Sequence, residues 1–168
     1  MTNVNSFNVV VTHASRREML RETFMKTAIM FAEMSTCARK QVGGVLVKNN
    51  RIVSTGFNGS PKGLLHCTDN FLGREIDLDS EEHRKFSDKY ELHCEQNILI
   101  ECIKNQILTE GTVLYLTLSP CSQCAKLIYA AGIKAVYYLE KYDRDTSGID
   151  FLNEIGVFCS KFEFVTGE

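Results

Sequence analysis

The spacing of apolar residues changes several times along the chain, and each change marks an element. From Ser15 to about Ser35, Met19, Phe24, Ile29, Phe31 and Met34 alternate irregularly with charge and no breaker intervenes, which predicts a long first helix. Ser15 is its expected N-cap, and Glu18 three residues later completes a capping box. Val42–Val47 and Arg51–Phe57 are strand-like runs separated by Lys48-Asn49-Asn50, which predicts a hairpin. Gly56-Phe57-Asn58-Gly59-Ser60-Pro61-Lys62-Gly63 is dense in turn formers and reads as a loop with specific backbone demands. Residues 66–90 are polar and weakly periodic and read as an insertion, with a short helix near Ser80–Lys89.

Periodicity sharpens after that segment. Ile98, Leu99, Ile100 and Ile103 suit a buried helix from His93 to Lys104, which puts His93 and Glu95 in its first turn. Thr112–Leu118 is a strand, Cys121–Ala131 a helix closed by Gly132, and Lys134–Glu140 another strand. A last helix at Thr146–Glu154, ended by Gly156, leads into a strand at Val157–Val165. A helix, two strands, then alternating helices and strands predict an α/β fold with a mixed central sheet covered by helices. We expect a single domain over residues 1–168, its core at about 15–165, with two helix N-termini facing each other across the sheet.

Composition narrows the setting. A chain of 168 residues is long enough to bury most of its surface in one core. Its seven cysteines are an odd number, and neither an apolar N-terminal leader core nor a run of 18 apolar residues is present, so we expect no secretion, no membrane span and a reducing cytoplasm. Cys102 and Cys159 read as core filling. With 19 basic and 21 acidic residues the net charge is −2, which gives no footprint for a nucleic acid polymer yet leaves room for a small phosphorylated ligand.

The chemistry concentrates in His93-Cys94-Glu95 and, after a strand-length segment, Pro120-Cys121-Ser122-Gln123-Cys124. One imidazole and two thiolates fill three positions of a tetrahedral Zn²⁺, leaving the fourth for a water whose pKa the metal lowers to about 7. Glu95 is either a fourth ligand of a structural site or, left off the metal, the group that takes the water's proton and delivers it to substrate. H-x-E…P-C-x-x-C is the signature of zinc nucleobase deaminases, in which the glutamate is not a ligand. A structural knuckle or a C-x-x-C redox pair are the competing readings, and neither accounts for the full set.

Ser35-Thr36-Cys37-Ala38-Arg39, Val42-Gly43-Gly44-Val45-Leu46-Val47, Gly56-Phe57-Asn58-Gly59-Ser60-Pro61, His66-Cys67, Thr117-Leu118-Ser119-Pro120-Cys121 and Ala131-Gly132-Ile133-Lys134 resemble successive motifs of the deoxycytidylate (dCMP) deaminases, particularly phage members, over roughly residues 15–145. The resemblance implies a three-layer α/β/α cytidine-deaminase-like fold with a mixed five-stranded sheet. It implies hydrolysis of dCMP to dUMP and ammonia, feeding dTMP synthesis, by a homohexamer activated by dCTP with Mg²⁺ and inhibited by dTTP. The expected compartment is the cytoplasm, the host's if the chain is phage-encoded. Catalytic Zn²⁺ falls to His93, Cys121 and Cys124, and the proton-moving role to Glu95. Asn58 becomes a contact to the substrate sugar or a turn asparagine, and Tyr142 an aromatic near the base or a core tyrosine; Ser119 joins the substrate contacts. Arg39, Lys40, Gly59 and Lys104 are candidates for phosphate or effector, Lys104 standing where related phage enzymes often have arginine. A second, structural zinc is implied at Cys37, Cys67, His83 and Glu91, with His66 as the rival imidazole, and would pin the 66–90 insertion to the core. Cys94 stands where the family usually has alanine, and its side chain is expected to point away from His93 and Glu95. His13 belongs to no motif and reads as a surface residue. Deamination of another cytosine nucleotide such as dCTP, of free cytidine or of a pathway base are alternatives. Neutral charge argues against an RNA adenosine deaminase, and the presence of Glu95 against a non-catalytic zinc domain.

Overall fold

The computed structural model describes residues 15–75 and 77–165; His13 lies outside them. Helix α1 (Arg16–Ala32) is followed by strands β1 (Gly43–Lys48) and β2 (Arg51–Phe57), helices α2 (Cys67–Asn70), α3 (Glu81–Tyr90) and α4 (Cys94–Lys104), then β3 (Val113–Leu118), α5 (Ser122–Ala130), β4 (Ala135–Glu140), α6 (Ser147–Glu154) and β5 (Phe158–Lys161). The five strands form one sheet in the order β2-β1-β3-β4-β5. β1 runs antiparallel to both β2 and β3, whereas β3, β4 and β5 are parallel.

Local chemistry accounts for the ends of these elements. Ser15 caps α1 as expected: its backbone N–H donates to Glu18 Oε2 at 2.6 Å while its hydroxyl accepts from the Glu18 amide at 3.3 Å. Asn49 and Asn50, with φ of 50° and 61°, make the left-handed two-residue turn that joins β1 to β2.

Strand alternation sends side chains to two distinct cores. Val45, Val47 and Tyr115 pack with Phe24, Met25 and Ala28 of α1 on one face. Leu46, Leu114, Leu116 and Val136 pack on the other with Ile98 of α4, Ile128 of α5 and Leu152 of α6. The result is the expected three-layer arrangement, with one correction: α4 and α5 lie side by side on the same face, in contact, and their N-termini do not oppose each other across the sheet.

Two further boundaries differ from the sequence reading. The last strand stops at Lys161, because Phe162 turns into the α1 core and joins an aromatic cluster with Tyr115 and Tyr137. The 66–90 segment has a short helix, α2, that its polar composition hid, and a small core of its own in which Cys67, Phe71 and Phe86 are buried against Tyr90. Apolar residues there are too few and too widely spaced to register as a period.

Both helical layers press against glycines of the hairpin, α1 with its main chain and α4 largely with side chains. A Cβ at Gly43 would overlap the Ala28 carbonyl and the Ala32 amide of α1. On the opposite face a Cβ at Gly44 would stand 3.0 Å from Cys94 Sγ, and one at Gly56 2.7 Å from Ile98 Cγ1, both on α4. Gly43→Ala is expected to lower unfolding stability by about 1–3 kcal/mol, since main chain cannot yield as a rotamer can; chemical denaturation measures it, and a loss below a few tenths would contradict the contact.

Candidate active site

The site is built at the N-termini of α4 and α5. His93 is the N-cap of α4, which begins one residue later than expected, and its amide donates to Gln96 Oε1 at 2.8 Å. Cys121 is likewise the N-cap of α5, not a first-turn residue, and Cys124 follows one turn on. An N-cap has extended backbone, which lets its side chain lean over the helix end instead of lying along the helix. His93 Nδ1 lies 3.5 Å from Cys121 Sγ and 3.4 Å from Cys124 Sγ. Zn–S bonds of about 2.3 Å and Zn–N bonds of about 2.0–2.1 Å at a tetrahedral angle demand S···N edges of about 3.5–3.6 Å. The three donor atoms therefore already outline one face of a zinc tetrahedron.

The three donors are close enough to share protons among themselves. The Cys121 thiol is held down to about 4, first by the hydrogen bond it accepts from Cys124 and then by His93, while Cys124, the proton holder, is pushed up. His93 rises to about 9 chiefly through its contact with Cys121. Glu95, on the first turn of α4, is buried, and burial is the main cause that pushes its carboxyl up to about 6. Glu95 reaches the Cys124 thiol and lines the same cleft as His93 and Cys121. Cys94, between the two, faces the other way: its Sγ donates to the Gly56 carbonyl at 3.3 Å, inside the core.

A second donor cluster stands in the wall of that cleft. Cys37, Cys67 and His83, all buried, bring their ligand atoms within 4.8 Å of one another, and His83 Nε2 is 3.3 Å from Cys67 Sγ. Burial is the first cause that raises both thiols, Cys37 to about 11, and the Glu91 carboxylate beside them adds to it. Glu91 Oε2 accepts from the Ser87 hydroxyl at 2.6 Å, yet its Oε1 is buried without a partner. Two buried thiols against one imidazole, with a carboxylate buried beside the thiols, is an expensive arrangement unless a cation neutralises it. His66, the rival imidazole, is the N-cap of α2 and stays outside the cluster.

The cleft, of about 210 Å³, is lined by members of both clusters together with Arg39, Lys40, Asn58, Ser119 and Tyr142 from the expected set. Asn58 is held from three sides: Oδ1 accepts from Ser35 Oγ at 2.7 Å and from the Val42 amide at 2.8 Å, and Nδ2 donates to the Lys40 carbonyl at 2.8 Å. Its side chain is thereby fixed at the cleft. Ser119 is buried and its hydroxyl accepts from the Tyr142 amide at 2.8 Å, which fixes the turn after β4 and brings Tyr142, half-buried, to the cleft rather than to a core. Gly59 is absent from the lining; it bridges Leu92, anchoring the 56–63 loop beside His93, and a Cβ there would overlap the Thr36 hydroxyl. Lys104 sits on the last turn of α4, at the opposite end of that helix from His93. Arg84, Asp88 and Arg144 also line the cleft and belong to no motif, so the sequence carried no signal for them.

Residues 19–140 match the family model of the cytidine and deoxycytidylate deaminase zinc-binding region. The chain belongs to this family. It is 34% identical over 161 residues to the deoxycytidylate deaminase of enterobacteria phage T4, covering 79% of this chain and 83% of that protein. The human deoxycytidylate deaminase is 36% identical over 146 residues, covering 84% and 78%. Among solved structures, the dCMP deaminase of cyanophage S-TIM5 in complex with dCMP and dUMP superposes with a TM-score of 0.73 and 38% identity, covering 86% of this chain and 97% of that one.

The C-x-x-C helix of this deaminase-family chain depends on one carboxylate. Asp145 Oδ2 accepts from the Ser122 amide at 2.9 Å, the first cause that holds its carboxyl down to about 2, and Oδ1 accepts from the Ser147 amide at 3.0 Å. A depressed pKa contributes stability above the unfolded value of about 3.9 and loses it as pH falls through the folded value. Asp145→Ala is expected to lower stability by about 1 kcal/mol at pH 7, as loss of a helix cap does, and the gap to the parent protein should close between about pH 4 and pH 2. Denaturation curves across that range test it; a gap independent of pH would mean packing, not the carboxylate, is responsible.

Proposed function

We propose that this chain is a zinc-dependent dCMP deaminase, converting dCMP and water to dUMP and ammonia and so feeding dTMP synthesis. The observation that carries the proposal is the buried Glu95 beside a His93–Cys121–Cys124 face with zinc-sized edges, in a chain whose relatives are deoxycytidylate deaminases. Bound at those three residues, zinc supplies a Lewis acid that makes an attacking water acidic. The chain does the rest. Glu95 accepts a proton from that water as it adds to C4 of the cytosine, delivers it to N3, and carries the next proton to the departing amine. Burial suits Glu95 to both directions, because a carboxyl near 6 is a usable base and a usable acid around neutrality. Asn58, fixed at the cleft, contacts the sugar, Tyr142 flanks the base, and Ser119 holds Tyr142 in place.

Cys37, Cys67, His83 and Glu91 are proposed to hold a second, structural zinc. Its support is the buried donor cluster and the unpartnered Glu91 oxygen. Bound there, the metal ties the loop after α1 to the α2–α3 segment and makes residues 66–90 part of the single domain. None of the seven cysteines is in a disulfide, which supports a reducing cytoplasm as the compartment; among the described residues no helix is long and apolar enough to cross a membrane. The family resemblance extends the reading to a homohexamer activated by dCTP with Mg²⁺ and inhibited by dTTP. Exposed Ile103, Leu108, Leu127 and Tyr129 supply apolar surface for such an assembly.

Two measurements test the reading. Glu95→Gln should cut kcat for dCMP by about 10³-fold or more while zinc content is unchanged, the mark of a proton carrier that is not a ligand; activity within tenfold of the parent would remove Glu95 from the mechanism. Metal analysis should find about two zinc ions per chain and about one in Cys67→Ser, with the survivor at the catalytic face. An unchanged count in Cys67→Ser would sink the second site.

A further inference from the structure

A cavity of about 480 Å³ opens on the α1 side of the sheet, at the end of β3 and β4 remote from the reaction cleft. Val113, Lys134 and Ala135 line it where those strands begin, whereas Leu118 and Ser119 at the end of β3 and Tyr142 beyond β4 line the cleft. Its place follows from the layering. α4, α5 and α6 pack on the other face, and α1 lies over β1, β2 and β3, so among the described residues no helix covers β4 and β5 on this side. Ala135 supplies the floor: its register partners are Val113 on β3 and Phe158 on β5, and between those larger side chains it leaves a dent.

Aromatic rings form one wall of the cavity and cations the other. Tyr115 and Tyr137 stack at 5.2 Å between centroids, and Phe158, 53% exposed, tilts against Tyr137 at 5.6 Å. The Arg21 guanidinium lies 4.6 Å over the Tyr137 ring, which holds it in one place, and its Nε is buried without a hydrogen-bond partner among the described residues. A buried N–H is costly while no acceptor reaches it. Arg17 stands one turn earlier on α1, and Lys134 immediately precedes β4. Among the described residues no carboxylate lines the cavity, and none of these three cations is in an ion pair. The acids of α1 are engaged elsewhere: Glu18 accepts from the Ser15 amide, and Glu22 takes Lys26 at 3.1 Å and the Val165 amide at 2.9 Å. A chain of net charge −2 thus gathers three positive side chains round one aromatic recess.

Charge and size together decide what fits. A recess of this volume suits a small molecule better than a folded partner. Isologous pairing with a second copy would bring the same three cations from both chains together, a like-charge contact. We infer that the cavity binds a small planar organic anion, its ring on Tyr137 and Phe158 over Ala135 and its anionic group on Arg17, Arg21 and Lys134. Guanidinium forks match a phosphate, sulfonate or carboxylate, and the aromatic wall supplies the stacking surface that an inorganic ion could not use. Asn49 and Asn50 of the hairpin turn add amide groups at the far side for a polar substituent. Binding here is independent of which amine the cleft hydrolyses.

Calorimetric titration of the zinc-loaded protein with phenyl phosphate tests the assignment, with inorganic phosphate as the control for charge alone. Phenyl phosphate should bind with a Kd of about 0.1–1 mM, and inorganic phosphate about tenfold or more weakly. Ala135→Leu fills the floor without touching a charge and should weaken phenyl phosphate by about tenfold, the effect of losing the stacking contact. Arg17→Met combined with Lys134→Met, both on the exposed rim, should weaken both ligands by about 10- to 100-fold, as loss of charge-assisted bonds does. Both variants should keep the parent's kcat/KM for dCMP, the sign of an intact fold. Phenyl phosphate binding that survives Ala135→Leu and the double substitution lies elsewhere, and equal affinity for inorganic phosphate means a charged surface with no ring site. Either result overturns the assignment, as does the absence of binding. Should Lys134→Glu change the oligomeric state in sedimentation, the cavity is an interface between copies and the assignment falls.

Discussion

Three glycines on the hairpin set the spacing on which everything else depends. Gly43 lets the backbone of α1 lie directly on one face of β1, and Gly44 with Gly56 lets α4 lie directly on the other. Without that clearance α4 would ride higher over the sheet, Cys94 could not reach the Gly56 carbonyl, and His93 would be lifted away from the thiols of α5. Burial, backbone hydrogen bonding and donor geometry thus depend on positions where the strand itself contributes no side chain, meeting the main chain of α1 at Gly43 and the Cys94 and Ile98 side chains of α4 at Gly44 and Gly56. Close backbone approach is the use of glycine that outweighs its conformational entropy cost in a strand.

The same economy governs the two N-caps. His93 and Cys121 each stand where the chain enters a helix, so the extended backbone at the cap aims the side chain over the helix end and toward its neighbour. Two helix N-termini side by side also place partial positive charge near Cys121 and Glu95, which favours the ionised forms that metal binding and proton transfer require. Desolvation opposes this at Glu95, and its carboxyl near 6 is the net result.

Much of the framework was legible because it is written in period and punctuation. The capping box at Ser15 and Glu18, the hairpin around Asn49 and Asn50, and the order of β3 to β5 with their helices follow from local rules that tertiary structure did not override. The H-x-E and P-C-x-x-C spacing marked His93, Glu95, Cys121 and Cys124 before any fold was known. Residues 66–90 resisted the same treatment: Cys67, Phe71 and Phe86 lie far apart in sequence relative to any single helix face, and they meet only when α2 and α3 fold together. His83, preferred over His66 on the family resemblance, is the imidazole that joins Cys37 and Cys67, whereas the pairing of Arg39 with Asp79 and Arg144 depends on contacts between distant segments, for which a lone sequence has no spacing to read.

The bridge between Gly59 and Leu92 has a consequence for how such a chain can change over time. It fastens a loop to the entry of α4, so the framework that performs chemistry, namely the sheet, α4 and α5, is closed on itself by main-chain bonds. The remaining wall of the cleft is assembled from stretches outside that framework, around residues 37–40, 83–91 and 142–144. Within that wall the buried donors Cys37 and His83 are tied to the second cluster, so variation that leaves both clusters in place is confined to the more exposed positions between them.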